Sequence, residues 1–117
     1  MASFYRVAYW ALGVSEERIN VAVMAYDDQH VLARGLRDWS RFEAFTGMQP
    51  GLVKLTEGNL ASLSVKEAES WKPHYMSSLR LTEPRASILT APELLDSIAS
   101  RMLVERRSAA QRGEVQP

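Results

Sequence analysis

Ile19-Asn20-Val21-Ala22-Val23-Met24-Ala25-Tyr26 is the stretch on which the fold turns. In a two-residue alternation Ile19, Val21 and Val23 share one face and Met24 and Tyr26 the other, and the run is rich in β-branched residues, so it reads as a strand. Upstream, Phe4 to Leu12 places Phe4, Tyr5, Val7, Tyr9 and Trp10 on both alternating faces, as expected of a strand covered on both sides. Gly13 breaks that run, and a polar loop leads to Arg18. Downstream, Asp27-Asp28-Gln29-His30 has turn chemistry, because Asp side chains accept bonds from nearby backbone amides, and Val31 to Leu36 resumes an apolar, β-branched pattern. Residues 4–36 therefore predict a three-stranded antiparallel meander.

The remainder predicts helices and one more strand. Asp38 is placed to cap a short helix carrying Trp39, Phe42 and Phe45 at three-residue spacing, with Gly47 to end it. Residues 48–63 stay open, since Pro50, Gly51 and Gly58 interrupt an apolar pattern. Ser64-Val65-Lys66-Glu67 is a capping box opening a helix expected to reach Lys72. Leu79 and Leu81 alternate with Arg80 over Ser78–Thr82, a half-exposed strand that Pro84 ends. Thr90-Ala91-Pro92-Glu93 joins a capping box to a proline in the first helical turn, and Leu94, Leu95, Ile98, Met102 and Leu103 form the buried stripe of a helix expected to end near Arg107. The fold class is thus α+β: one domain over residues 1–107, an antiparallel sheet covered by helices. The unpatterned residues 108–117 are expected to be a disordered tail.

Composition narrows the chemistry. The 117 residues suffice for one core, and 46% hydrophobic with 24% charged residues is the usage of a folded domain. Fourteen basic residues balance fourteen acidic ones, six and seven in residues 1–60 and eight and seven thereafter, so no long-range field draws nucleic acid or anionic lipid. Without cysteine the chain has no disulfide, thiolate catalysis, iron–sulfur cluster or cysteine-based zinc site, which suits a cytoplasmic setting. The apolar stretch Phe4–Val14 is too short to span a bilayer, contains Arg6 and lacks a basic leader, so no membrane association is expected.

Two segments carry a family likeness: Phe4-Tyr5-Arg6-Val7 through Glu17-Arg18-Ile19-Asn20-Val21-Ala22-Val23, and Leu79-Arg80-Leu81-Thr82-Glu83-Pro84-Arg85 followed by the Leu94-Leu95 helix. Together they resemble the bacterial domain of unknown function family 3037. Its members open with an aromatic-rich strand, continue with a Glu-x-x-Asn-Val-Gly-Val strand and close with a Pro-Arg stretch before an acidic, leucine-rich helix. Ala22 stands where the family usually has glycine, and Tyr9 near a position often arginine. The resemblance implies an intracellular bacterial protein of no established activity, sometimes encoded beside a kinase resembling the HipA toxins.

The candidate site residues are Glu17, Asn20, Arg80 and Arg85. Asn20 must find partners, since an unpaired amide in an apolar strand costs about 1–3 kcal/mol; it either lines a pocket with Glu17 or ties down the Gly13–Arg18 loop. Arg80 and Arg85 suggest an anion site near the free amides at the Thr90 helix start. No catalytic constellation or cofactor is expected: His74 has no nucleophile beside it. The leading expectation is a small accessory or regulatory protein that binds another protein or a second copy of itself, through the weakly charged Ser78–Thr82 edge or the groove beside Arg80. One alternative is a metal-dependent hydrolase or nuclease using Glu17, Asp27 and Asp28, with His30 near them. The other is a nucleic-acid binder using Arg80, Arg85, Arg101, Arg106 and Arg107, against which the even charge weighs.

Overall fold

The computed structural model describes residues 2–11, 17–72 and 78–103. Strands β1 (Ser3–Ala11), β2 (Arg18–Tyr26) and β3 (Val31–Gly35) form the expected antiparallel meander. β4 (Leu79–Leu81) and β5 (Arg85–Ser87) both pair antiparallel to β1 on its other side, completing an α+β fold with β1 and β2 at the centre. The turn between β2 and β3 closes as its sequence suggests, with Asp27 Oδ1 accepting from the Gln29 and His30 amides at 2.8 and 2.7 Å.

The alternation of β2 does not run unbroken. Phe4 pairs with Tyr26 and the register holds to Ala8 with Ala22, but Tyr9 then faces Asn20, leaving Val21 as an extra residue. Such a bulge reverses the sense of the alternation beyond it. Ile19, expected beside Val21 and Val23, pairs with Trp10 and so lies on the face of Met24 and Tyr26, while Asn20 crosses to the face of Val23. The carbonyl of Val21 is not wasted, since the Leu36 amide donates to it at 3.1 Å.

Both faces of the sheet are covered. Arg34 and Gly35 point to opposite faces by alternation. Arg34 reaches Asp96 of α4 (Ala91–Met102) at 2.6 Å, and a Cβ placed on Gly35 would stand 3.0 Å from the Cβ of Glu57 in α2 (Thr56–Ala61). Glycine at the end of β3 thus lets α2 close on the sheet, on the face opposite α4. Arg37 reinforces that contact with a 2.7 Å bond to Glu57.

On the α2 face, α1 (Ser40–Thr46) brings Phe42 edge-on to Trp10, with ring centroids 5.7 Å apart, and Gly47 ends the helix in the left-handed conformation at φ 71°. Asp38 caps less directly than expected: Trp39 is the capping residue, and Asp38 Oδ1 accepts from the Ser40 amide at 2.9 Å. Residues 48–63, open in the sequence, contain a 3-10 helix (Gly51–Leu55) that runs into α2. The Ser64–Glu67 capping box forms, but α3 (Val65–Ala68) stops well before Lys72.

Arg6, which interrupts the apolar first strand, shows why α3 stops where it does. Its side chain is 3% exposed and donates to the carbonyls of Ala68 at 2.8 Å, Trp71 at 3.1 Å and Thr82 at 2.9 Å. Carbonyls at the end of a helix have no partner within it and attract a cation. Burial lowers the pKa of the guanidinium from its ordinary value, opposed by Tyr26 and Glu83.

On the other face α4 buries Leu94, Leu95 and Ile98 of the expected stripe against the sheet, joined by Ala91 and Ala99, while Met102 is half-buried; both halves of the Thr90–Glu93 capping box are in place. It ends at Met102, and Leu103 is still buried. His74, Arg106, Arg107 and the expected tail 108–117 lie outside the described residues, as does most of the Gly13–Arg18 loop.

Candidate functional site

Asn20 is a junction. The bulge turns it toward α4, where its Nδ2 donates to the carbonyl of Met102 at 3.0 Å. It therefore ties the end of α4 to β2; the described partner is a helix end rather than the loop expected. Its Oδ1 is buried and accepts from no donor among the described residues. Beside it lies a cavity of about 140 Å³ lined by Arg18, Ile19, Asn20, Arg41, Phe45 and Met102, at the end of the sheet where α1 and α4 flank it. Arg18 is exposed, and its guanidinium stands 4.5 Å from the centre of the Tyr9 ring. Glu17 is exposed one residue before β2 and is not among the residues lining this cavity.

Arg80 pairs with Tyr9 and Arg85 with Tyr5, so both arginines project on the α4 face, both exposed. Four residues of strand separate their partners by about 13 Å, too far for one small anion to bridge the two strand positions. The helix start proposed as the anion's third support is already occupied. Glu93 Oε1 accepts from the Thr90 amide at 3.2 Å, and Thr90 Oγ1 accepts from the Glu93 amide at 3.3 Å. The Thr90 hydroxyl also donates to Glu93 Oε1 at 2.8 Å; this bond first, and the one from the Thr90 amide second, hold the Glu93 carboxyl below its usual pKa, so it supplies the negative charge that the helix start favours. Arg80 and Arg85 do share a face with the half-buried Tyr5 and Tyr9 and with Arg18.

The carboxylates of the hydrolase reading stand apart. Glu17 and Asp27 flank opposite ends of β2, about 33 Å apart along an extended chain, so they cannot share a cation. Asp27 is engaged in its own turn, and the backbone bonds from Gln29 and His30 hold its carboxyl below the usual range. Among the described residues no three His, Cys, Asp or Glu side chains converge as a metal site. No helix among them is long and apolar enough to cross a membrane.

The Ser78–Thr82 edge is better protected than its sequence suggests. β4 is three residues long, and the strand resumes past Pro84 as β5, also of three residues, where no strand was expected. Their pairings with β1 are offset by one residue, from Ala8 with Leu81 to Tyr5 with Arg85, so the edge is kinked as well as short. Short strands, bulges and proline are the devices by which edges resist pairing with another chain.

A different surface emerges from the segment the sequence left open. Leu52 and Leu55 are 56% and 55% exposed, with Met48 close behind at 46%. Residues three apart on a 3-10 helix eclipse each other, so the two leucines stand side by side. Both border a groove of about 400 Å³ lined by Leu52, Leu55, Asn59, Ser62, Leu63 and Trp71, and Leu55 also borders an adjoining one of about 490 Å³ that includes Asn59, Ala33 and Lys54. The three-residue spacing of Leu52 and Leu55 was the available signal, obscured by the flanking Pro50 and Gly51.

Comparison with protein-family models, with curated proteins and with solved structures finds no match, so the family likeness rests on the quoted residues alone.

Proposed function

We propose that this chain is an interaction module that docks another protein on the apolar shelf formed by Leu52 and Leu55 and floored by Leu63 and Trp71. The observation that carries this reading is the side-by-side exposure of two leucines, each more than half exposed, above adjoining grooves. A scattered exposed leucine needs no explanation, but a contiguous apolar surface with an aromatic floor and a rim of Lys54, Glu57, Asn59 and Ser62 has the composition of a protein interface. The reading keeps the expected protein partner and moves it from the sheet edge to the opposite side of α2. A kinase resembling the HipA toxins is the first partner to offer, on the strength of the family likeness; a second copy of the chain is the other.

Replacing Leu52 and Leu55 together by glutamate tests it, because both side chains face solvent and the fold does not depend on them. The double variant is expected to keep the parent melting temperature. It should lose capture of a defined host protein, or lose the dimer if light scattering shows the parent to be one. A parent that is monomeric and captures nothing specific, or a variant that captures the same protein equally well, overturns the assignment.

A further inference from the structure

The cavity beside Asn20 shares no residue with the shelf. It combines three features that seldom meet by packing alone. Two exposed arginines, Arg18 from the start of β2 and Arg41 from the first turn of α1, line it. Asn20 Oδ1, a buried acceptor, has no donor among the described residues. Ile19, Phe45 and Met102 supply an apolar wall. The amide of Asn20 is fixed in this orientation by its bond to the Met102 carbonyl, which a flip would break, so Oδ1 is the atom left open to a ligand. A buried acceptor without a partner marks a group whose donor comes from elsewhere.

We propose that this cavity binds a small α-hydroxy carboxylate, with its carboxylate on Arg18 and Arg41 and its hydroxyl donating to Asn20 Oδ1. The arginines call for an anion, and planar guanidinium forks suit a carboxylate. The acceptor calls for a donor close to that carboxylate. The donor is neutral, because an ammonium group there would sit against two guanidinium charges. The apolar wall takes a short alkyl group, and about 140 Å³ limits the ligand to a few heavy atoms, which sets aside nucleotides and peptides.

Titration of the full chain with L-lactate, D-lactate, propionate and inorganic phosphate, followed by amide NMR shifts, tests the assignment. One lactate enantiomer is expected to bind saturably and about tenfold tighter than propionate, the worth of one hydrogen bond to an otherwise unpaired acceptor. The shifts should centre on residues 18–20, 41 and 45. Arg41→Gln, an exposed substitution, should leave the melting temperature unchanged and weaken lactate binding about tenfold through the lost charge-assisted bond. The assignment fails if lactate and propionate bind equally, if phosphate binds as well as lactate, if no carboxylate saturates at tens of millimolar, or if Arg41→Gln leaves affinity intact.

Discussion

Arg6 is the residue whose replacement should cost most. Its three acceptors lie 62, 65 and 76 positions away, on α3, on the segment after it and beyond β4, so one side chain joins three parts of the chain. Arg6→Met would fill much of the same volume but leave three carbonyls without this donor, two of them partly buried and one buried. We expect a loss of about 2–4 kcal/mol in urea unfolding, and a loss for Arg6→Lys too, since an ammonium cannot reproduce the fork. A change below about 0.5 kcal/mol would mean that the carbonyls find other partners. None of this was legible in the sequence, where Arg6 only interrupts an apolar run, because its acceptors are backbone groups brought together by tertiary structure. Asn20 was half legible. Its need for a partner follows from its strand environment, but which partner follows from the Val21 bulge, and no glycine or proline announces that bulge.

At the level of elements, the capping boxes were read directly from sequence because they are local: Ser64 with Glu67 and Thr90 with Glu93 satisfy each other across three residues. The meander was equally legible, since alternation and turn chemistry are short-range. Helix ends and short strands were not. α3 stops early where Arg6 takes the carbonyl of Ala68, its last residue, and β5 forms beyond Pro84 because β1 still has free groups to pair. The caps also set a pH dependence. Hydrogen bonds from Ser64 and Thr90 hold the carboxyls of Glu67 and Glu93 below their usual pKa, so each favours the folded state when ionised. That stabilisation is complete above the ordinary glutamate range near about 4.3 and fades as pH falls through the lower folded values. Urea midpoints measured from neutral pH downward should therefore decline once pH drops below that range. Glu93→Gln should flatten the decline, and an unaltered slope would show that this cap does not contribute.

Across the whole molecule, a single sheet covered on both sides predicts one cooperative transition. Trp10, Trp39 and Trp71 belong to the layer opposite α4, with Trp10 and Trp39 both edge-on to Phe42. Tryptophan emission and far-ultraviolet dichroism thus weight the two layers differently. Their urea transitions should coincide, and Ile98→Ala should move both by the same amount, about 2–5 kcal/mol, because Ile98 is 1% exposed beneath α4. Separate midpoints would show the layers unfolding independently. The placement of β1 carries one more consequence, this one in time. Ala8 meets β2 through Ala22 but waits for Leu81 to fill its other side. At about 5–20 residues per second a ribosome needs roughly 4–15 s to make the intervening segment. Throughout that interval an apolar central strand of the nascent chain has one flank bare, the kind of unpaired edge that invites aggregation until the later strand is made.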